Sequence, residues 1–241
     1  MRHTSMAAAF TAPKVRLPNK VRNIIVIWLI WICGAGCGQH QPVTEKQVAP
    51  VGLPFYNSAD FTPTWIKPGE QVPDSTHRIP AFSFTDQDGD TISNNTVNGK
   101  IYVADFFFTS CPGICPKLTK NLKRVQDSFL LDNDVVLLSH SVTPEKDDAA
   151  TLNRYAKNYG VQKGRWHLLT GNRDSMYRVA RKGYFADEDL GQQRSADDFL
   201  HTENMLLIDR KGRIRGIYKG LSPQEMNNMI TDIRLLKKDP F

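Results

Sequence analysis

The chain has 241 residues, with 31 Lys plus Arg, 25 Asp plus Glu and four Cys. Hydrophobic residues make up 40%, which excludes wholesale disorder, and four cysteines are too few for a disulfide-stapled scaffold. The formal charge is +6, but residues 1–36 hold five basic residues and no acid; that leaves 26 basic and 25 acidic residues beyond them, so the body makes no case for nucleic acid.

The N-terminus reads as a targeting segment. Lys14 to Arg22 is basic, and Ile24 to Ile32 is unbroken and apolar. Even with the small residues that follow, the run falls short of the ~20 residues that span a bilayer comfortably. A basic region, a short apolar run and small residues describe a secretory signal. The small residues end at Gly34-Ala35-Gly36-Cys37, which resembles a bacterial lipobox, with Gly34 where Leu is usual. The expectation is a signal peptide over 1–36 and lipidation of Cys37. An ordinary cleaved signal, an uncleaved anchor and a mitochondrial presequence are the competing readings. Residues 37–76 carry six prolines and little periodicity, as a tether does. Phe55, Tyr56, Phe61, Trp65 and Ile66 point to part of it packing on the body.

The globular part is expected over 77–238. Phe82 to Thr85 and Thr91-Ile92 alternate around Asp88-Gly89, a hairpin signal. Ile101 to Phe108 is a nearly continuous apolar run, a strand buried on both faces. After the loop Cys111–Pro116, Leu118, Leu122, Val125 and Phe129 keep helical spacing. Val135 to Val142 is a second buried strand. Thr143-Pro144-Glu145 reads as the start of a helix that runs through Leu152 and Tyr155 to Gly160, with the charges at 145–148 in water. Trp166 to Thr170 is a short strand, and Asp174 opens a helix through Lys182. Met205–Asp209 and Ile214–Tyr218 form a hairpin, and Ser222-Pro223 starts the last helix. Strands alternating with helices make the chain α/β. A buried strand leading to a cysteine loop and helix, with a closing hairpin and helix, is a thioredoxin-like plan with an N-terminal hairpin and one added helix–strand pair.

The chemistry points to Cys111 and Cys115. They lie between the strongest strand and a helix N-terminus, where unpaired amides stabilise a thiolate. Three intervening residues allow a reversible disulfide. Two thiolates are also a soft clamp that favours Cu(I) over hard cations. An ordinary thioredoxin has a proline before its last hairpin, facing the cysteines; here no proline falls between Pro144 and Pro223, and His201 sits near that slot. His40, His77, His140 and His167 read as structural or tether histidines. Met205, Met226 and Met229 have core spacing. Asp105 inside an apolar strand is unusual: it tunes the thiols or shuttles a proton, or else closes a strand-end hydrogen bond.

Phe108-Thr-Ser-Cys111-Pro-Gly-Ile-Cys115-Pro116 resembles the signature of the Sco/SenC family, copper-binding thioredoxin-like proteins that assist cytochrome c oxidase assembly. Ser141 to Asp147, Trp166 to Gly171 and Asp198 to Thr202 agree in order. The resemblance covers about 77–236. It implies copper, as Cu(I) or Cu(II), held by Cys111, Cys115 and His201, and delivery to subunit II of the oxidase. Thr143 and Leu200 depart from the family, which usually has Asp at the first position and often at the second. The expected function is that of an extracytoplasmic, membrane-tethered copper chaperone. A thiol–disulfide reductase of the oxidase's cysteines and a redox or copper sensor use the same residues. A peroxidase is disfavoured, because only Thr109 stands near Cys111 to activate a peroxide.

Overall fold

The computed structural model describes residues 52–67, 69–186 and 202–238. The apolar run Ile101–Phe107 (β5) is buried at all seven positions because it lies inside a seven-stranded sheet. It pairs in parallel with Val135–Ser141 (β6), which pairs in parallel with Trp166–Leu169 (β7). Its other edge meets Asn204–Ile208 (β8) antiparallel, and β8 continues into Ile214–Lys219 (β9). The α/β, thioredoxin-like plan is therefore present.

The period of a strand sorts β5 onto two cores. Ile101, Val103 and Phe107 face Cys115–Ser128 (α2), Ala149–Tyr159 (α3) and Pro223–Leu236 (α5). In α2, Leu118, Leu122 and Val125 supply the inward stripe; in α5, Met226, Met229, Ile233 and Leu236 do. Tyr102, Ala104 and Phe106 face the opposite core, with Met176 and Tyr177 of Arg173–Arg178 (α4) and the hairpin of Ser83–Thr85 (β3) and Thr91–Ser93 (β4). Gly89, with φ +83°, makes the turn of that hairpin in a conformation that glycine adopts without strain. The hairpin also covers the outer edge of β7. Thr85 and Thr170 exchange backbone hydrogen bonds of 2.8 and 2.9 Å. The Gln87 side chain donates to Trp166 O and accepts from Leu168 N, as a strand neighbour would.

Several local readings differ from what the structure shows. Phe55–Tyr56 (β1) and Pro63–Thr64 (β2), within the stretch read as tether, extend the sheet beyond β9. An unforeseen helical turn, Asn94–Val97 (α1), is closed by a capping box between Ser93 and Thr96. Helix α3 begins at Ala149 rather than at Pro144, capped by Asp148, whose side chain accepts from Thr151 N at 2.7 Å. The cause is Asp147, which turns inward and is fully buried, so the charges at 145–148 are not a uniformly solvated helix start. The next helix is capped by Asn172, not Asp174, and passes into a wider turn over Val179–Gly183.

The first strand is held by a buried ionic cluster. Asp209 accepts from the Arg213 Nε at 2.7 Å and from Arg215 Nη1 at 3.3 Å. Arg215 also donates to the carbonyls of Leu53 and Pro54, and its guanidinium lies 3.9 Å from the centre of the Phe55 ring. One carboxylate thus serves two guanidiniums, and all three side chains are buried.

Candidate metal centre

The cysteine loop follows β5 directly. Thr109 and Ser110 turn the chain, Cys111 N donates to Phe108 O, and α2 starts at Cys115 with Pro116 in its first turn, where no N–H is required. Both cysteines are free thiols; Cys111 is half-buried and Cys115 buried. They are in hydrogen-bond contact, and the contact acts on them in opposite directions. At Cys111 burial opposes the thiolate, but hydrogen bonds from the Cys115 thiol and from the amides of Cys115, Gly113 and Ile114 outweigh it and lower the pKa. At Cys115 burial, the Cys111 contact and the nearby Asp105 carboxylate push the pKa up to about 12, against one hydrogen bond from the Phe108 backbone. An accessible thiol biased to ionise beside a buried one that resists it is the asymmetry that thiol exchange requires. Two sulfurs in contact also fit a soft cation as a two-point clamp.

The loop is braced from below. Asp147 accepts from Thr109 Oγ1 at 2.5 Å, Thr109 N at 3.2 Å, Ser141 Oγ at 2.6 Å and Thr143 Oγ1 at 3.1 Å. The Thr109 hydroxyl is therefore committed to a carboxylate. On the other side, Thr119 Oγ1 donates to Cys115 O and pairs with Tyr155 OH.

Asp105 sits on the α2 face of β5 and accepts from Ser139 Oγ, which in turn accepts from Trp166 Nε1 at 2.8 Å. Burial lifts Asp105 to about 7, with the Ser139 bond acting the other way. His140 lies on the opposite face among the rings of Phe82, Phe84, Phe106 and Tyr184. Its Nδ1 meets Asp105 O at 3.3 Å, and Nε2 has no partner among the described residues. Burial lowers His140 to about 4, against hydrogen bonds to the backbone of Asp105 and Leu138.

These two groups give opposite pH dependences. The His140 contribution to stability is complete above its unfolded pKa of about 6.5 and is lost as the pH falls toward 4. The Asp105 contribution is complete below about 3.8 and is lost as the pH rises through 7. Relative to the parent chain, Asp105→Asn should raise the slope of stability against pH between 4.5 and 7. His140→Phe should lower it, each by up to roughly 3 kcal/mol over the window. Urea unfolding at both ends of the window measures this; slopes unchanged in both variants would contradict it.

His77 Nε2 meets Gly183 O at 2.8 Å and His167 Nδ1 meets Asp86 at 2.7 Å, so both are taken up in the fold. Met205, Met226 and Met229 are fully buried core. Among the described residues, no three His, Cys, Asp or Glu converge as a metal site. His201, Cys37 and His40 lie outside the described residues, as do the signal and residues 37–51 of the tether. Ala104 pairs with Leu206 and Tyr102 with Ile208, so the N-terminal end of β8 lies at the end of β5 that leads into the cysteine loop. Sequence reasoning missed Asp147 because four charges in a row hide which one is buried. The available signal was three hydroxyl residues, Thr109, Ser141 and Thr143, at the ends of neighbouring strands.

Among solved structures, the chain is similar to a SCO1/SenC family lipoprotein from Bacillus anthracis str. Ames, at 28% identity, TM-score 0.59, over 67% of this chain and 95% of that one. It is similar to BsSco, described with a disulfide switch and as a member of the Sco family of cytochrome c oxidase assembly proteins, at 27% identity, TM-score 0.57, over 69% and 98%. Bradyrhizobium japonicum ScoI, solved with copper bound, shares the fold at 24% identity and TM-score 0.52, over 63% and 96%. The SCO1/SenC family model matches residues 70–237, which hold five of the sheet's seven strands, the cysteine loop and the closing hairpin, and the chain belongs to that family.

Proposed function

We propose that the chain is a membrane-tethered, extracytoplasmic copper chaperone that serves the copper site of cytochrome c oxidase. The observation that carries the reading is the pair of free thiols in contact at the start of α2, one biased toward thiolate. Cys111 and Cys115 hold the ion, and His201 completes a three-coordinate soft site with a neutral imidazole. The position of the β8 N-terminus beside the cysteine loop supports that third ligand. Residues 1–36 direct export, Cys37 carries the lipid, and the chain after it holds the body near a membrane. No described helix is long and apolar enough to cross one. The cargo passes by ligand exchange to subunit II of the oxidase.

Copper titration of the reduced and the oxidised chain tests the site, since only thiolates ligate. Binding is expected for the reduced chain alone; equal affinity of both forms would contradict a thiolate site. His201→Ala should leave the disulfide couple in place and weaken copper binding at least about 10-fold, because even loss of a group that only orients a ligand costs that much. An unchanged affinity would remove His201 from the site.

The opposed shifts of Cys111 and Cys115 favour a second reading, a thiol–disulfide reductase acting on the oxidase's copper-site cysteines. Here Cys111 attacks and Cys115 resolves. Copper-free reduction of an oxidised subunit II domain by the chain, lost in Cys111→Ser, would establish it.

A further inference from the structure

We propose that Asp147 is a positioning residue for the cysteine pair, acting through Thr109 to fix the loop and so to favour the dithiol over the Cys111–Cys115 disulfide. The inference rests on the reading of that pair as a reversible thiol site. Asp147 is fully buried, and its two oxygens accept four hydrogen bonds, three from hydroxyls and one from an amide. A buried carboxylate so fully satisfied is held in one place. Helix capping does not account for it, because the cap of α3 is the neighbouring Asp148.

Two of the four bonds go to one residue. Thr109 is tied at both hydroxyl and amide, and it lies two positions before Cys111. Beyond Thr109 the loop is held by backbone contacts, Cys111 N to Phe108 O and the amides that approach the Cys111 sulfur. The other bonds anchor the carboxylate to the end of β6 through Ser141 and to the turn through Thr143, where the Asp147 amide also donates to Thr143 O. Asp147 therefore joins the cysteine loop to the neighbouring strand while both thiols are free. On this proposal, shortening the thiol contact to a disulfide bond draws Cys111 against that tie.

The test pairs two chemically identical changes on one acceptor. Thr109→Val and Thr143→Val each delete one hydroxyl that donates to Asp147, but only Thr109 is part of the cysteine loop. Each variant of the full chain is equilibrated, without copper, with reduced and oxidised glutathione. The reaction is protein disulfide plus two glutathione thiols giving protein dithiol plus glutathione disulfide. Thr109→Val should move this equilibrium about tenfold toward the protein disulfide, the scale of one hydrogen bond to a charged group. Thr143→Val should move it less than about twofold, though both lower the unfolding midpoint. An equilibrium unchanged in Thr109→Val, or moved equally in both, overturns the proposal while leaving the thiol pair intact. A parent chain that forms no disulfide under any glutathione ratio overturns the reading of the pair as well.

Discussion

Cys115→Ser should lower the copper affinity of the reduced chain at least about 100-fold, because it removes a ligand where loss of a supporting group alone costs ~10–100-fold. The serine hydroxyl is a hard, un-ionised donor in place of a soft thiolate. It can still donate to the Cys111 sulfur, and the amides that favour the Cys111 thiolate are unchanged, so the loss is that of the second soft ligand. Cys111→Ser should be as damaging to copper and should abolish thiol exchange, since it removes the accessible sulfur. Competition titrations against a Cu(I) chelator measure both. Neither change should unfold the chain, because Cys115 occupies the first turn of α2 and serine nearly matches it in size. Retention of affinity within about threefold in both variants would remove the pair from the proposed site.

The second large effect concerns stability alone. Asp209→Asn should cost about 3–5 kcal/mol, the range for removing one partner of a buried ionic cluster. The substitution keeps the shape but removes the carboxylate that the buried Arg213 and Arg215 share. Arg215 also fixes the carbonyls of Leu53 and Pro54, so the loss should spread to β1 at the edge of the sheet. Urea unfolding measures the first effect, and amide exchange at residues 53–56 the second. A loss below about 1 kcal/mol would mean that water reaches the cluster.

Much of this architecture was legible because burial leaves a periodic trace. The apolar runs at 101–107 and 135–142 are buried on both faces, and the stripe Leu118, Leu122, Val125 marks a helix packed on one side. The thiol pair was legible for a different reason, since two cysteines between a strand and a helix start leave few other uses. What escaped was polar and non-local. Asp147 is surrounded in sequence by other charges, and only the convergence of residues 109, 141 and 143 in space identifies it as buried. Asp209 sits four and six residues from its arginines, yet its second task, holding the segment at 53–55 through Arg215, spans more than 150 residues. The strands within the presumed tether are two residues each, too short for alternation to register. Asp105 stood out as the one carboxylate in an apolar run, and the structure shows it closed by Ser139 beneath Cys115.

The central claim is a copper site built from Cys111, Cys115 and His201. X-ray absorption on the copper-loaded, reduced full chain addresses it directly. The expected first coordination shell contains two sulfur neighbours and one imidazole nitrogen, with the nitrogen lost in His201→Ala and one sulfur lost in Cys115→Ser. A shell of oxygen and nitrogen alone, or one unchanged by both substitutions, would contradict the claim.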